Sequence, residues 1–394
     1  VNLRGLRVLW CHNRYRITGG EDVSTQAEAE LLTEAGVEID RYEVSNDTIP
    51  DRPGIGYGLG TVWSQIAYRE VLARLRQGRH HLMHVQNFFP LLSPAMLWAA
   101  RRSGVPVVLT LRNYRLACLN GLLFREGRIC EDCLGRSPIP GVLHRCYRGS
   151  IGASAATAGM LVAHRLLGTW HRTVDVFVTP SAFAKSKLAA AGLDASRIVV
   201  KPNFVHPDPG LGSGDGGFVL YAGRMSPEKG IRTLLAAWRR VGGGPRLLLV
   251  GAGPLAEDVR RASAERDGIE YLGAREPPQV LSLMARAALV VVPSEWYETF
   301  GRVVAEAFAV GTPVVASAVG PLVEMVEAGK TGALVPPGDP EALAGAVREL
   351  WSQPAVLRSM RLAARRTYEE RYTAERNLDA FREIYRRALG TGHG

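Results

Sequence analysis

The chain has 394 residues, 46% of them apolar, a formal net charge of +10 and a pI of about 9.6, with Arg far outnumbering Lys. That length exceeds one ordinary core and suits two domains. No apolar run reaches the ~18–20 residues of a bilayer span, no secretory pattern opens the chain, and no basic run is interleaved with aromatics as in a nucleic-acid module. The expectation is a cytoplasmic protein that binds no nucleic acid. Its positive charge then points to phosphorylated small molecules or an anionic membrane face.

Residues 7–11 read as a first strand. Gly19-Gly20 follows, then a helix over 24–35 ended by Gly36, then a strand over 37–44. This is βαβ organisation with a Gly-rich turn after the first strand. Such a turn can accept a phosphate or a sugar, or be a plain tight turn. The densest basic stretch, 69–81, reads as an amphipathic surface helix with Val71, Leu72 and Leu75 on one side. A solvated face is the plain reading. A peripheral contact with the inner face of a membrane is the sharper one. Residues 81–85 and 106–111 read as parallel strands, with a helix over 94–101 between them. Arg112 and Asn113 stand directly after the second strand. Ligands of open α/β sheets sit beyond the carboxyl ends of strands, which directs both residues to a cleft. A guanidinium cannot act as a general base. Arg112 can clamp an anion or form a surface salt bridge.

Cys118, Cys130, Cys133 and Cys146 fall in one loop-like stretch. The C-E-D-C at 130–133 has metal-ligand spacing, and the flanking pair completes a set of four. A structural zinc would pin an insertion that has little core of its own. Reduced thiols are the rival, and disulfides suit a cytoplasmic protein less well. Residues 174–179 and 198–201 read as further strands, with a helix over 183–191 between them. The run P-D-P-G-L-G-S-G-D-G-G at 207–217 is the clearest shift in composition and reads as a linker.

The second half restarts the βαβ pattern. A strand over 218–222 runs into Gly223-Arg224, then Lys229-Gly230, then a helix over 231–241. Arg offers a fork of donors and Lys a compact charge, and the pair suits a diphosphate or a salt-bridged turn. A strand over 246–250 opens into Gly251-Ala252-Gly253, a spacing that suits close nucleotide approach. The apolar run 288–292 leads into P-S-E-W-Y-E-T-F-G-R-V-V, read as strand, loop and helix, with Gly301 at the helix start. Glu298 and Glu306 stand roughly 12 Å apart if joined by helix. They can hold the two ends of a ligand whose phosphates lie over the helix N-terminus, or be two solvated charges. A strand over 312–316 and two helices, 340–351 and 357 to about 389, close the chain.

The acid-x7-acid spacing at Glu298 and Glu306 around Phe300-Gly301, together with G-R-x-x-x-x-K-G at 223–230, resembles the signature of retaining GT-B glycosyltransferases of family 4, the bacterial group 1 type. The resemblance implies an α/β GT-B fold, two Rossmann-like domains facing a central cleft. An acceptor domain would span 1–206, with a Cys-rich insertion at about 112–150. The linker 207–217 would lead to a nucleotide-sugar domain over 218–371, and a helix over 372–394 would cross back. The implied activity is retaining transfer of a hexose-type sugar from a nucleoside-diphosphate sugar to a hydroxyl of a glycan, lipid-linked or small natural-product acceptor. It implies that Glu298 orients the donor sugar, Glu306 holds the ribose, and Arg224 and Lys229 grip the diphosphate. Gly223, Gly251, Gly253, Thr299, Phe300 and Gly301 would line the donor, and Gly20, Glu21, Arg112 and Asn113 the acceptor side. Many relatives carry His where this chain has Arg112, which removes an acid/base role there. No Asp-x-Asp metal motif occurs, so no catalytic metal is implied. A sugar-nucleotide epimerase of the same architecture, or a binding subunit without turnover, are the alternatives.

Overall fold

A computed structural model describes residues 1–16, 19–50, 54–265 and 268–390; the expected final helix over 372–394 lies partly outside them. The chain divides into two compact units. The first comprises residues 1–123, 131–201 and 377–394, and the second residues 124–130 and 202–376. The sequence expectation placed the boundary at 206 and kept all of 112–150 with the first domain. Here residues 202–206 and the hairpin at 124–130 belong to the second unit, where Ile129 packs against the core.

The first unit is built on a parallel sheet of β1 (Arg7–Arg14), β2 (Glu38–Ser45), β3 (Leu82–Asn87) and β4 (Val107–Thr110), continued by two strands that follow the hairpin β5 (Phe124–Arg125) and β6 (Arg128–Ile129): β7 (Val176–Thr179) and β8 (Ile198–Val200). The order is β2-β1-β3-β4-β7-β8, and it reverses between β1 and β3. The strands are apolar on both faces because helices cover both. Alternate residues therefore feed separate cores: Leu9, Met83, Val85 and Leu109 on one side, Val8, Trp10, Leu82 and Val108 on the other. The helices of this unit are α1 (Gly20–Glu34), α2 (Ile55–Val62), α3 (Gln65–Gly78), α4 (Ala95–Arg102), α5 (Ile139–Leu143), α6 (Ile151–Leu166), α7 (Thr169–Thr173) and α8 (Ala182–Ala190). Ser64, Ser150 and Ser181 cap α3, α6 and α8 by accepting backbone N–H bonds.

The second unit carries β9 (Phe218–Ala222), β10 (Arg246–Val250), β11 (Ile269–Gly273), β12 (Leu289–Val292), β13 (Val314–Ser317) and β14 (Gly332–Val335), all parallel. The order is β11-β10-β9-β12-β13-β14, with its reversal between β9 and β12. Its helices are α9 (Ile231–Val241), α10 (Ala256–Glu265), α11 (Pro277–Arg286), α12 (Arg302–Ala309), α13 (Leu322–Met325), α14 (Pro340–Trp351) and α15 (Pro354–Arg371). In α9 the buried residues Ile231, Leu234, Ala237, Trp238 and Val241 recur at helical spacing.

The expected long final helix is two. Its course breaks at Tyr372-Thr373, where the Thr373 hydroxyl accepts the N–H of Arg376 and starts α16 (Ala374–Gly390). From Asn377 onward α16 belongs to the first unit: Phe381, Ile384, Tyr385 and Ala388 are fully buried with Trp10 and Val8. The Gly-rich linker is likewise not loose. N–H groups of Gly212, Gly214 and Gly216 donate to the carbonyls of Val310, Ala285 and Arg286. A Cβ at Gly212 would stand 2.3 Å from the Ala285 carbonyl oxygen. Only glycine permits this approach.

Candidate functional site

In the second unit the loops leaving β9 and β12 meet where the strand order reverses, the position at which open α/β sheets bind ligands. Gly230, at φ +71°, makes the meeting close: a Cβ there would stand 1.8 Å from the Pro293 carbonyl oxygen. The N–H of Glu295 donates to the carbonyl of Glu228 at 2.9 Å, and the Thr233 hydroxyl donates to the Glu295 carboxylate at 2.5 Å. Gly251 and Gly253, after β10, serve the same end. Added Cβ atoms would stand 1.9 Å from the Gly223 carbonyl oxygen and 2.5 Å from that of Met225. Three strand ends thus share one compact backbone shelf.

On that shelf the Lys229 ammonium donates to Glu298 Oε1 at 2.6 Å, and the Ser294 hydroxyl donates to the same oxygen at 2.8 Å. Burial pushes the Glu298 carboxyl up. The neighbouring Lys229 charge and the bonds from Lys229 and Ser294 outweigh it, so the group lies below the usual carboxylate range. Lys229 also stands 5.3 Å from the ring centre of Trp296. Arg224 reaches outward, its side chain 57% exposed, and pairs with the nearly buried Glu228 at 3.0 Å. Gly301, at φ +103°, starts α12. Glu306 lies on the exposed side of that helix and accepts from Arg302 Nε at 2.7 Å. Thr299 is half-buried. Phe300 is a core residue, 4% exposed, edge-on to Tyr372 with ring centres 5.7 Å apart. Its ring is thus spent on the interior. The residues that reading the chain missed are Glu228 and Ser294. The Gly after Lys229 was the one signal for them.

In the first unit the polar groups gather at the carboxyl ends of β1, β3 and β4. Glu21, in the first turn of α1, accepts from Tyr15 Oη and Asn113 Nδ2, each at 3.3 Å. Its Oε1 is buried without a partner among the described residues. Burial raises the Glu21 carboxyl, although Arg112 and His12 oppose it. His12 Nε2 bonds Asp22 Oδ1 at 3.0 Å, leaving His12 Nδ1 buried without a partner among the described residues. Gly20 opens α1, and the N–H of Gly19 donates to Asp22 Oδ2. So Glu21 and Asn113 come together as the sequence implied, joined by His12, Tyr15 and Asp22, which it did not single out.

Arg112 departs from expectation. It is buried, paired with Glu28 at 2.6 Å, and donates to Gln86. Lys201 donates to the same Glu28 oxygen and to Asn377 Oδ1 at 2.9 Å. Its guanidinium is therefore engaged inside the unit rather than held as an exposed anion clamp.

Among the described residues no disulfide joins the four clustered cysteines. Cys118 and Cys133 are buried, Cys130 and Cys146 half-buried, and the Cys118 thiol donates to Asn120 Oδ1. Among the described residues no group of three or more His, Cys, Asp or Glu is placed to hold a metal.

Residues 217–353 match the family described as glycosyl transferases group 1, and residues 19–203 match the glycosyl transferase 4-like domain. Among curated relatives, a D-inositol 3-phosphate glycosyltransferase of Rhodococcus erythropolis is 30% identical over 349 residues, covering 81% of this chain and 72% of that one. A glycogen synthase of Mycobacterium tuberculosis is 34% identical over 174 residues, and the match spans only 42% of each chain. Among solved structures, Anabaena HepE in complex with UDP and glucose superposes with a TM-score of 0.68 at 18% identity, over 96% of this chain and 99% of that one. A sucrose-phosphate synthase from Thermosynechococcus elongatus gives 0.69 at 21% identity, over 98% and 99%. These neighbours share the GT-B fold with this chain.

Proposed function

The chain belongs to the group 1 glycosyltransferases with a GT4-like first domain, and from that premise we propose that it transfers a hexose-type sugar, with retention, from a nucleoside-diphosphate sugar to a hydroxyl acceptor. The observation that carries the reading is the Lys229–Glu298 pair beside Arg224, seated where β9 and β12 diverge. Breaking the anomeric bond develops positive charge on the sugar and negative charge on the departing diphosphate. Arg224, Lys229 and the N–H groups at the start of α12 meet the negative charge. Glu298, kept ionised by Lys229, accepts from sugar hydroxyls, and Glu306 accepts from the ribose. The acceptor hydroxyl enters on the face of the leaving phosphate, which takes its proton. Glu21, Asn113 and His12 are the groups of the first unit suited to orient that acceptor. The relative solved with UDP and glucose makes UDP-glucose the first donor to try.

The test pairs titration calorimetry across nucleotide sugars with an assay for released nucleoside diphosphate. Lys229→Ala should weaken donor affinity about tenfold or more, the worth of a charged hydrogen bond. Lys229→Ala with Glu306→Ala should abolish it. Undiminished donor binding and turnover in the double variant would sink the proposal. A changed sugar without released diphosphate would point to an epimerase.

A further inference from the structure

We propose that the face of the first unit built from α2, α5 and α6 docks on an anionic lipid surface. Helix α6 is apolar on its outer side as well as its inner one. Its solvent-facing stripe is Ile151, Ala155, Gly159, Val162 and Leu166, at steps of four, four, three and four, and holds no polar residue. Its buried side mixes Ser154, Thr157 and His164 with Ala158, Met160 and Leu161. A surface helix of a soluble protein keeps its outer face polar. His164 is satisfied internally, bonded to Thr169 Oγ1 and the Val62 carbonyl at 2.8 Å each. The outward stripe is therefore the settled orientation of a well-anchored helix.

Helix α2 extends the same face. A Cβ at Gly58 would touch Ala156 at 3.4 Å, and one at Gly159 would touch Val62 at 3.8 Å, so small residues let the two helices cross. No residue of α2 is charged. Leu59 is 67% exposed, Leu166 84%, and Leu143 of α5 73%. Tyr57 and Trp63 add half-exposed aromatic rings of the kind that favour a membrane–water boundary. Contiguous apolar surface rimmed by charge marks an interaction site rather than a solvated face.

The rim selects the occupant. Residues 135–172 include Arg136, Arg145, Arg148, Arg165 and Arg172 and not one Asp or Glu. Arg145 and Arg148 are exposed just before α6, and Arg69 and Arg76 are exposed on neighbouring α3. A second copy would bring the same positive rim to a two-fold contact and repel it. An anionic leaflet attracts each such side chain and accepts the apolar stripe. No helix among the described residues is long and apolar enough to cross a membrane, so the contact lies on the surface. It draws on neither the donor nor the acceptor groups.

Co-sedimentation with vesicles of phosphatidylcholine alone, or with roughly 30% phosphatidylglycerol, tests the proposal. The protein should sediment with the anionic vesicles, less so at high salt, and not with the neutral ones. Leu59→Asp with Leu166→Asp should lower partitioning at least about tenfold. Arg145→Ser with Arg148→Ser should lower it roughly tenfold to thirtyfold. Both variants should keep the parent melting temperature and response to nucleotide sugar. No sedimentation of the parent, or unchanged partitioning of the leucine variant, overturns the proposal. So does a concentration-dependent dimer, dissolved by the leucine substitutions, in a protein that ignores vesicles; that result assigns the face to a second copy.

Discussion

Glu28 holds two cations, Arg112 and Lys201, inside the first unit, each within 2.6 Å. Burial pushes its carboxyl up, and the two charges and their bonds pull it down further, from 4.5 to about 2. A depressed carboxylate stabilises the folded state above its unfolded value. That contribution is lost as pH falls from about 4.5 toward 2. Glu28→Gln leaves two buried cations facing each other and should cost about 3–5 kcal/mol. Urea denaturation near neutral pH should register the loss, and the variant should show a flatter decline in stability below pH 4.5 than the parent. Stability equal to the parent's at neutral pH would mean that the cluster adds nothing. The charge of Arg112 is thus neutralised from α1, 84 residues earlier in the chain.

At the scale of elements, the loops after β9 and β12 act as one piece because Gly230 lets the Pro293 carbonyl in. Gly230→Ala adds a strained backbone at φ +71° and a contact of 1.8 Å. It should lower the melting temperature and weaken nucleotide-sugar binding together, the strain alone costing about 1–3 kcal/mol. Normal affinity in that variant would separate the shelf from the donor site. Such loops were partly legible beforehand. β9, α9, β10 and α14 lie where the sequence placed them, because fully buried strands and strongly amphipathic helices write their period into the chain. Lys229 and Glu298, expected to serve one ligand, bond each other. Helix α2 was not legible: Gly56, Gly58 and Gly60 lower its intrinsic propensity, and only its crossing with α6 supports it. Nor was the strap at 207–217, whose glycines look like slack until Ala285 and Arg361 are seen against them. The Arg112–Glu28 pair was hidden for a related reason, since sequence spacing says little about partners brought together by a sheet.

For the whole molecule the division into units matters most. The first unit is completed by residues from 377 onward, through Tyr385 bonded to His84 at 3.0 Å and Asn377 bonded to Lys201. Ending the chain at Arg376 should remove four fully buried side chains from that core. Calorimetry should then resolve an early transition for the first unit, with the second unit melting as before and still responding to a nucleotide sugar. An unaltered single transition would show that α16 is dispensable.

That closure has a consequence for birth as well as for stability. Trp10 and Val8 leave the ribosome about 370 residues before the side chains that cover them. At elongation rates of ~5–20 residues per second, one flank of the first sheet stays open for roughly twenty seconds or more. During that interval the nascent chain offers the rest of the cell an uncovered apolar wall. The second half can finish folding before the first is sealed, so the order of maturation runs opposite to the order of synthesis.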